Sequence, residues 1–467
     1  MTGVVAVVAA VAVGLIAGRS DGHKLLILAT AIPFLLMLVR DVRRTLLVVV
    51  VFDTAFQWDK NFGYNTAAAN LGALGGLNVS ATTIALGGLY LLWFAELATR
   101  RASFNRGTLR AALPLILYVG ITAVSIFAAA NKGLAADEVA MLVQTLLLFV
   151  YVGGALRTRS DIRFLAGAIV ACLMIESILT LLLPYIGSQK LLGIATYAQT
   201  DPTVGGGGTD SRFGGTIGGP NTAAAFFSLL IVPSIAMVSA RVTRRTKRIA
   251  IVAAMVATLA LILTVSRGGF LALVVSFLFL ALTATKRGWI SPKIPIAFAI
   301  VLVLLALPLG GRLANRLTKN DQGSASGRVP LIHLAVSVIR DHPVLGVGAN
   351  NLGLTFPKYA GPQYDQDWIY TVHNKYLLVW AEAGIGALVA FLWFLGSTLR
   401  RGWSLWRTGD PLVAPIALGL TAGVIGQMVH MNVDIFQSRP QVQVLWLVAA
   451  LLVAMQNARL EDRQAVA

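Results

Sequence analysis

Long apolar runs separated by short polar segments make up most of the sequence. A helix that crosses the hydrocarbon layer of a membrane needs about 20 apolar residues, and fewer where neighbouring helices shelter it. The pattern of apolar runs predicts an all-α bundle of about 14 membrane-spanning helices. The third run is short enough to be re-entrant, and the lower bound of the count is 12. The predicted spans lie near residues 3–18, 25–39, 45–58, 81–99, 111–130, 138–156, 164–187, 221–240, 249–266, 268–285, 294–310, 373–397, 411–430 and 441–457.

Composition agrees with this pattern. The 467 residues are 57% hydrophobic and only 12% charged, and the mean hydropathy of +0.76 exceeds that of soluble domains. The net charge of +18 could indicate a nucleic-acid partner, but the basic residues lie in short clusters between apolar runs and not on a soluble face. The sequence therefore predicts a polytopic membrane protein in contact with lipids and without a nucleic-acid partner.

The basic clusters predict an orientation. Short cytoplasmic loops of membrane proteins carry an excess of Lys and Arg. If the N-terminus is inside, the inside segments, such as "RVTRRTKR" at 241–248, contain most of the 38 Lys and Arg residues. Apart from one long loop, each outer connection carries only one or two. The alternation predicts that both termini are cytoplasmic.

Two predicted outer loops are too long to be simple connections, and loops of this length usually carry function or are disordered. They are a Gly-rich loop at 188–220 and a long loop at 311–372. They divide the chain into N-terminal helices at 1–187, central helices at 221–310 and C-terminal helices at 373–467. Within the long loop, "GRVPLIHLAVSVIRDHP" predicts a short amphipathic helix that lies on the membrane surface or caps the bundle, because Pro330 suits a first helical turn and Pro343 ends the helix.

Arginines at the predicted outer surface are candidate anion ligands. Arg212 lies in the Gly-rich loop, and Arg267 of "TVSRGGF" lies between two spans with almost no loop. Guanidinium groups bind phosphate through paired hydrogen bonds, while glycines such as Gly218 and the helix that opens at "PNTAAAF" with Pro220 and Asn221 let backbone N–H groups approach an anion. The segment predicts a cradle for a lipid diphosphate. The alternative is that both arginines hold headgroups of bulk lipid.

His373 of "TVHNKY" begins a span from the same predicted surface. A neutral histidine is the usual general base for a sugar hydroxyl, although a histidine at a helix end is more often only a boundary residue. Asn374 could bind a sugar through hydrogen bonds, and Glu382, nine residues deeper, needs a partner inside the membrane. Glu176 is expected to pair inside the bundle. His430 has no evident partner in the sequence.

Two segments, "SGRVPLIHLAVSVIRDHPVLGVGANNL" and "HNKYLLVWAEAGIGAL", resemble the signature of the O-antigen ligase and polymerase superfamily, with "SRGG" and "RFGGTIGGPN" as supporting matches. The resemblance covers about residues 205–395. It implies a membrane glycosyltransferase of the GT-C type at the outer face of the bacterial inner membrane, which takes a glycan from undecaprenyl diphosphate with inversion and without a metal or cofactor. Carried over by motif, His373 is the catalytic base, Arg212 and Arg267 hold the diphosphate, and Arg328 of "SGR" is structural or binds the anion.

The acceptor separates two activities within this superfamily. A ligase transfers finished polymer to lipid A core, whereas a polymerase transfers the growing chain to the next lipid-linked repeat unit. Fourteen spans favour a polymerase, because twelve are usual for the ligases. A lipid-linked oligosaccharide flippase would also have many spans, but it should carry charges deep along a central cavity, and here the arginines lie at the outer surface.

Overall fold

The computed structural model describes residues 41–99, 106–186, 212–291, 328–361 and 370–464, together with residues 293, 296, 299 and 300. This part of the chain is an all-α bundle with one small hairpin. The helices are α1 (Val42–Phe56), α2 (Thr66–Asn70), α3 (Ala81–Ala98), α4 (Arg106–Val124), α5 (Lys132–Ala155), α6 (Arg159–Ile186), α7 (Pro220–Ala236), α8 (Arg244–Thr264), α9 (Arg267–Lys286), α10 (Arg328–Asp341), α11 (Leu352–Thr355), α12 (Lys375–Trp406), α13 (Val413–His430) and α14 (Arg439–Gln464). Short 3₁₀ turns follow at Ser125–Ala128, Met237–Ser239 and Phe356–Lys358, and strands β1 (Asp59–Phe62) and β2 (Leu77–Ser80) pair antiparallel.

Ten of the described helices, α3 to α9 and α12 to α14, are long and apolar enough to cross a membrane. This confirms a multi-pass membrane bundle but not the predicted count of fourteen. Helix α1 corresponds to the short third span, and its 15 residues rise only about 22 Å, less than the ~30 Å of the hydrocarbon layer. The predicted spans at 3–18 and 25–39, and nearly all of 294–310, lie outside the described residues.

The centre of the bundle is formed by α7, α13 and α14, which are buried along most of their length. Helix α7 packs on both α9 and α13, α12 packs against α13, and α14 packs against α5. Helices α3 and α9 keep wide apolar faces on the outside, where lipid chains would contact them. The arrangement places α7, α13 and α14 inside the remaining spans, which leave more of their apolar surface exposed.

Loops that the sequence assigns to the same side of the membrane contact one another. The Gln57 side chain donates a hydrogen bond to the Thr216 carbonyl, and the Thr371 N–H donates to the Leu71 carbonyl. We call this end of the bundle the His373 end. At the opposite end, Arg159 forms an ion pair of 2.7 Å with Asp410.

Helix α12 is broken near its first third. Gly384 has φ 82° and ψ 176°, a conformation that only glycine adopts without strain. The segment 343–348 fills the break: the N–H groups of Val347 and Gly348 donate to the carbonyls of Ala381 and Glu382 at 2.9 Å, and the Ile385 N–H donates to Pro343 at 3.0 Å. A helix can be interrupted within a membrane protein only where the freed backbone groups find such partners. The break therefore fixes the loop against the start of α12.

The predicted amphipathic helix is confirmed as α10, with Pro330 in its first turn and Pro343 just beyond its end. Its apolar face packs on α12, as expected for a helix that caps the bundle. His333 and Arg340 lie exposed together on the other face.

Asn350 and Asn351 join distant parts of the chain. The Asn350 amide donates to the carbonyls of Leu74 and Leu134, and its oxygen accepts from the Leu74 N–H and from the Gln437 side chain. Asn351 exchanges two hydrogen bonds with the backbone of Asn131. Both asparagines are buried. We call these two residues and their partners the asparagine hub; it holds the long loop inside the His373 end.

Candidate functional site

The junction of α8 and α9 places Arg267 at the boundary of the bundle. Val265 adopts a left-handed conformation with φ 47°, which ends α8, and the Ser266 hydroxyl then accepts the Gly269 N–H at 3.4 Å as the N-cap of α9. Arg267 is consequently the first residue of a helix and is exposed. Arg267 therefore stands between α8 and α9, at the His373 end of the bundle.

Arg212 lies at the same junction. Its Nε donates to the Thr264 carbonyl at 3.0 Å, and its Nη2 donates to Asn221 Oδ1 at 2.8 Å. Arg212 thus connects the end of α8 with the first turn of α7. Its partner in α8, Thr264, lies three residues before Arg267, the first residue of α9. The structure brings Arg212, Asn221 and Arg267 together. Along the chain, Arg212 lies nine residues before Asn221, and Arg267 lies 46 residues after it.

The glycines after Arg212 bring the backbone to a carboxyl group, but this group belongs to the chain itself. Gly215, with φ 62°, folds the segment around the buried Glu176 carboxylate. The Thr216 N–H donates to Glu176 Oε1 at 2.8 Å, and the Thr216 hydroxyl donates to Oε2. Glu176 therefore pairs inside the bundle, as expected. These hydrogen bonds fix the segment that carries Arg212.

Gly218 and Gly219 lead from this segment into α7. Gly218 has φ 112°, and Gly219 occupies the N-cap position, where no side chain of the described residues caps the helix. Pro220 fills the first helical position, as predicted. The positive end of the α7 dipole therefore lies beside Arg212 and Asn221.

His373 and Asn374 precede α12. Asn374 is the N-cap: its Oδ1 accepts the Leu377 N–H at 3.0 Å, and its Nδ2 donates to the Asn432 carbonyl at 3.2 Å. Both the oxygen and the nitrogen of the Asn374 side chain form hydrogen bonds with the backbone, so Asn374 stabilises the turn that carries His373. The Lys375 N–H adds a hydrogen bond of 2.8 Å to the Met431 carbonyl.

The sequence suggested no partner for His430, and the structure places it at this site. His430 is the last residue of α13 and is only 1% exposed. Its ring lies against Gly268, where a Cβ atom would approach His430 Cδ2 to 2.6 Å. The backbone of Met431 and Asn432, directly after His430, bonds to the start of α12. A second histidine thus lies between the first turn of α9 and His373.

Electrostatics at His373 favour the neutral imidazole. Burial, and then the positive charge of Arg328, lower the pKa of His373 to about 4, while Asp434 acts in the opposite direction. Its Nδ1 is buried without a hydrogen-bond partner among the described residues, and the ring of Tyr370 lies 5.6 Å away, centroid to centroid. At neutral pH His373 can therefore accept a proton.

Asp434 is a further residue that the sequence did not single out. It is buried, and its Oδ1 accepts the Phe436 N–H at 2.8 Å and the Gln441 side chain at 2.9 Å. It interacts electrostatically with both histidines. The pattern "HMNVD" could have indicated His430 and Asp434 from the sequence. It places polar residues at the end of an apolar span, just as His373 lies at the start of an apolar span.

Glu382 lies deeper, beside the break in α12. It is buried, and Oε1 accepts the Leu352 N–H at 3.1 Å. Glu138 and the buried Lys375 are its electrostatic neighbours. The Leu352 N–H and Lys375 are therefore the partners of Glu382 inside the bundle, whereas Glu138 is a like-charged neighbour.

Fold and site together define a multi-pass membrane protein with arginines and histidines gathered at one end of its bundle. Residues 251–392, from α8 to the second half of α12, match the family model described as O-antigen ligase. None of the curated proteins matches the chain. The family match supports the O-antigen ligase and polymerase superfamily, a glycosyltransferase-like membrane enzyme and lipid-linked glycan substrates. The matched region contains Arg267, Arg328 and His373 and ends before His430 and Asp434.

Proposed function

We propose that the protein is a metal-independent, inverting glycosyltransferase of the GT-C type that moves a glycan from undecaprenyl diphosphate to an acceptor hydroxyl. The observation that carries this proposal is the meeting of Arg212, Arg267 and His373 at one end of the bundle, with Arg328 beside His373. These residues supply cations and a neutral base at a membrane boundary, which a lipid-linked donor and a hydroxyl acceptor require.

The diphosphate is assigned to the arginines. Arg267 stands at the first turn of α9, Arg212 adjoins the uncapped first turn of α7, and Arg328 opens α10. Guanidinium groups and helix N-termini both favour phosphate oxygens, and charge-assisted hydrogen bonds are about twice as strong as neutral ones. In the transition state the same groups stabilise the charge that develops on the leaving diphosphate.

The polyprenyl chain is assigned to an apolar groove of about 520 Å³ between α12 and α13. Leu388, Leu392 and Met428 line it, and Tyr376 and Asn432 lie at the part nearest the site. Asn432 is bonded to Asn374, next to His373. A lipid chain in this groove keeps its headgroup at the His373 end.

His373 is assigned as the general base. It takes the proton of the acceptor hydroxyl while the oxygen attacks the anomeric carbon from the face opposite the diphosphate. The bond between that carbon and the phosphate oxygen breaks, and its electron pair stays on the diphosphate. Because Arg328 lowers the pKa of His373, a bound diphosphate that offsets this cation raises the basicity of His373 when the donor is present.

The proposed location is the bacterial inner membrane, with the His373 end at its outer face and both termini in the cytoplasm. The distribution of Lys and Arg supports this orientation. The lipid-linked donor is then met on the side where surface polysaccharide is assembled.

Of the two acceptors, we propose a second lipid-linked repeat unit, which makes the enzyme a polysaccharide polymerase. The choice rests on the span count of about 14 predicted from the sequence, of which ten candidate spans lie among the described residues. The ligase reaction onto lipid A core is the second candidate, and the match to the O-antigen ligase family favours it.

The test is a reconstituted assay with the purified chain and an undecaprenyl-diphosphate-linked repeat unit as the sole substrate, with products resolved by length. A ladder of longer lipid-linked glycans supports the polymerase. No ladder, but transfer after lipid A core is added, identifies a ligase. A substrate that crosses the bilayer of proteoliposomes without covalent change in either assay would support a flippase and overturn the glycosyltransferase.

A further inference from the structure

Unpartnered polar atoms concentrate near His373. Eight buried side-chain nitrogen or oxygen atoms of the described residues have no hydrogen-bond partner, and three of them belong to Thr371, His373 and His430. Buried polar groups in folded proteins are nearly always hydrogen-bonded, so an unpaired one calls for an explanation. In an active site, the explanation is a ligand that supplies the missing partner.

Contacts on two sides hold His430 in place. The Cδ2 and Nε2 edge of its ring faces Gly268, and the residues that follow it are bonded to the turn before α12. In an imidazole ring, Nδ1 lies on the edge opposite Cδ2 and Nε2, so the unpartnered Nδ1 points away from Gly268. The ring is 99% buried by its neighbours, yet this nitrogen is left unbonded.

The neighbours of His430 indicate which substrate it meets. Gly268 directly follows Arg267, the cation at the first turn of α9. The ring of Tyr370 lies near His373, where the proposed function places the acceptor. Asp434 and Arg328 are the further charged groups that interact with His430, and their charges are of opposite sign. Arg267 and Arg328 together favour an anion with paired oxygens over a neutral sugar hydroxyl, while the negative charge of Asp434 opposes it.

We propose that His430 is a second substrate-contacting histidine, whose Nδ1–H donates a hydrogen bond to the donor diphosphate that Arg267 and Arg328 bind. This inference rests on the proposed function, because it takes the lipid diphosphate as the ligand. His430 transfers no proton in the reaction. It holds a phosphate oxygen in the bound donor and continues to hold it as negative charge grows on the leaving group.

The test is binding of undecaprenyl diphosphate, without a glycan, to the full-length chain in lipid nanodiscs. His430→Phe keeps a planar ring and removes both nitrogens, and His430→Gln keeps a hydrogen-bond donor. We expect the Phe variant to bind about tenfold or more weakly, as the loss of one hydrogen bond to a charged group implies, and the Gln variant to recover most of the affinity. His342→Phe, at an exposed position beyond α10, is the matched control and should bind as the wild type does.

A double-mutant cycle tests the geometry. Gly268→Ala places a methyl group against the His430 ring and also meets Val433, so it should weaken binding in the wild-type background. In a His430→Ala background, the same change should cost much less, because the ring that it displaces is absent. Equal costs in both backgrounds would overturn the proposed position of the ring.

The outcomes separate this inference from the proposed function. If the wild type binds undecaprenyl diphosphate and His430→Phe binds it equally well, the role of His430 is wrong and the donor assignment stands. If the wild type does not bind this lipid, both fail. If His430→Phe does not fold, His430→Gln and Gly268→Ala still decide the matter. Retained lipid affinity in His430→Gln together with lost affinity in Gly268→Ala supports the contact. Unchanged affinity in Gly268→Ala refutes it.

Discussion

Two glycine-containing segments at the His373 end differ in how they treat a buried ionisable side chain. Gly215 brings the backbone around Glu176, and Thr216 then bonds both carboxylate oxygens. Gly268 brings the backbone against His430, but the Nδ1 of that histidine stays unbonded within the described chain. The first arrangement is complete without a substrate, and the second is not. The Glu176 contacts therefore hold the structure, whereas the unbonded nitrogen of His430 is the group that we assign to the donor.

The largest expected effect follows from replacing His373. His373→Ala should reduce transfer by about 10²- to 10⁴-fold, the usual contribution of a general base, because the acceptor hydroxyl keeps its proton. Undecaprenyl diphosphate should still bind, since the arginines remain. Turnover in the reconstituted assay and lipid binding are the two measurements. Near-normal turnover would show that another residue is the base.

Arg267 tests the binding side of the same site. Arg267→Ala should weaken binding of the lipid diphosphate by about tenfold or more, because one charge-assisted contact is lost. Arg340→Ala, on the exposed face of α10, is the matched control for removal of a surface charge and should leave the affinity unchanged. Equal affinities in the two variants would remove Arg267 from the diphosphate site.

Glu176 tests the satisfied side of the comparison. Glu176→Ala leaves the Thr216 N–H buried without its acceptor, while the Thr216 hydroxyl keeps the Ala55 carbonyl, and we expect a loss of about 1–3 kcal/mol in the free energy of unfolding. Glu176→Gln keeps one acceptor oxygen and should lose less. Unfolding in detergent micelles with added denaturant provides the measurement. If both variants are as stable as the wild type, the Thr216 contacts contribute nothing to stability.

The smallest effect is a change in pH dependence. His373 acts as a base in its neutral form, so activity falls as the pH drops through its pKa, which burial and Arg328 set at about 4. Arg328→Met removes one cause of the lowering, and the acidic limb of kcat/KM should move to higher pH, towards the ordinary value near 6.5. Arg328→Lys keeps the charge and should leave the limb in place. The test uses only the position of the acidic limb and not the absolute rate, because Arg328 is also assigned to donor binding. If the acidic limb stays at the same pH in Arg328→Met, Arg328 is not a cause of the lowered pKa of His373.

Local signals were sufficient for much of the fold. Pro330 and Pro343 bounded α10, and "SRGG" marked the start of α9, because proline geometry and N-capping act within a few residues. Apolar runs located the ten observed spans for the same reason. The run at 45–58 is helix α1, whose 15 residues agree with the expectation of a segment short enough to be re-entrant.

The site depended more on contacts between distant parts of the chain. Arg267 and His373 were recognisable as polar groups at span ends, but the same feature at His430 and Asp434 gained meaning only when α13 was placed against α9 and the start of α12. The carboxyl group held by the Gly-rich segment could not be recognised either, because Glu176 lies 40 residues before Thr216. Nor did the glycines of "AEAGIGAL" reveal which of them breaks α12, since the break depends on residues 343–348.

The asparagine hub has a consequence for how the protein is made. Its partners come from Leu74, Asn131, Leu134 and Gln437, and Gln437 lies after α13. Synthesis runs from the N-terminus, so the hub cannot close until the ribosome has released the connection to the last helix. Until then the long loop lacks part of its hydrogen-bonding partners. The His373 end is therefore among the last parts of the protein to be completed during biogenesis.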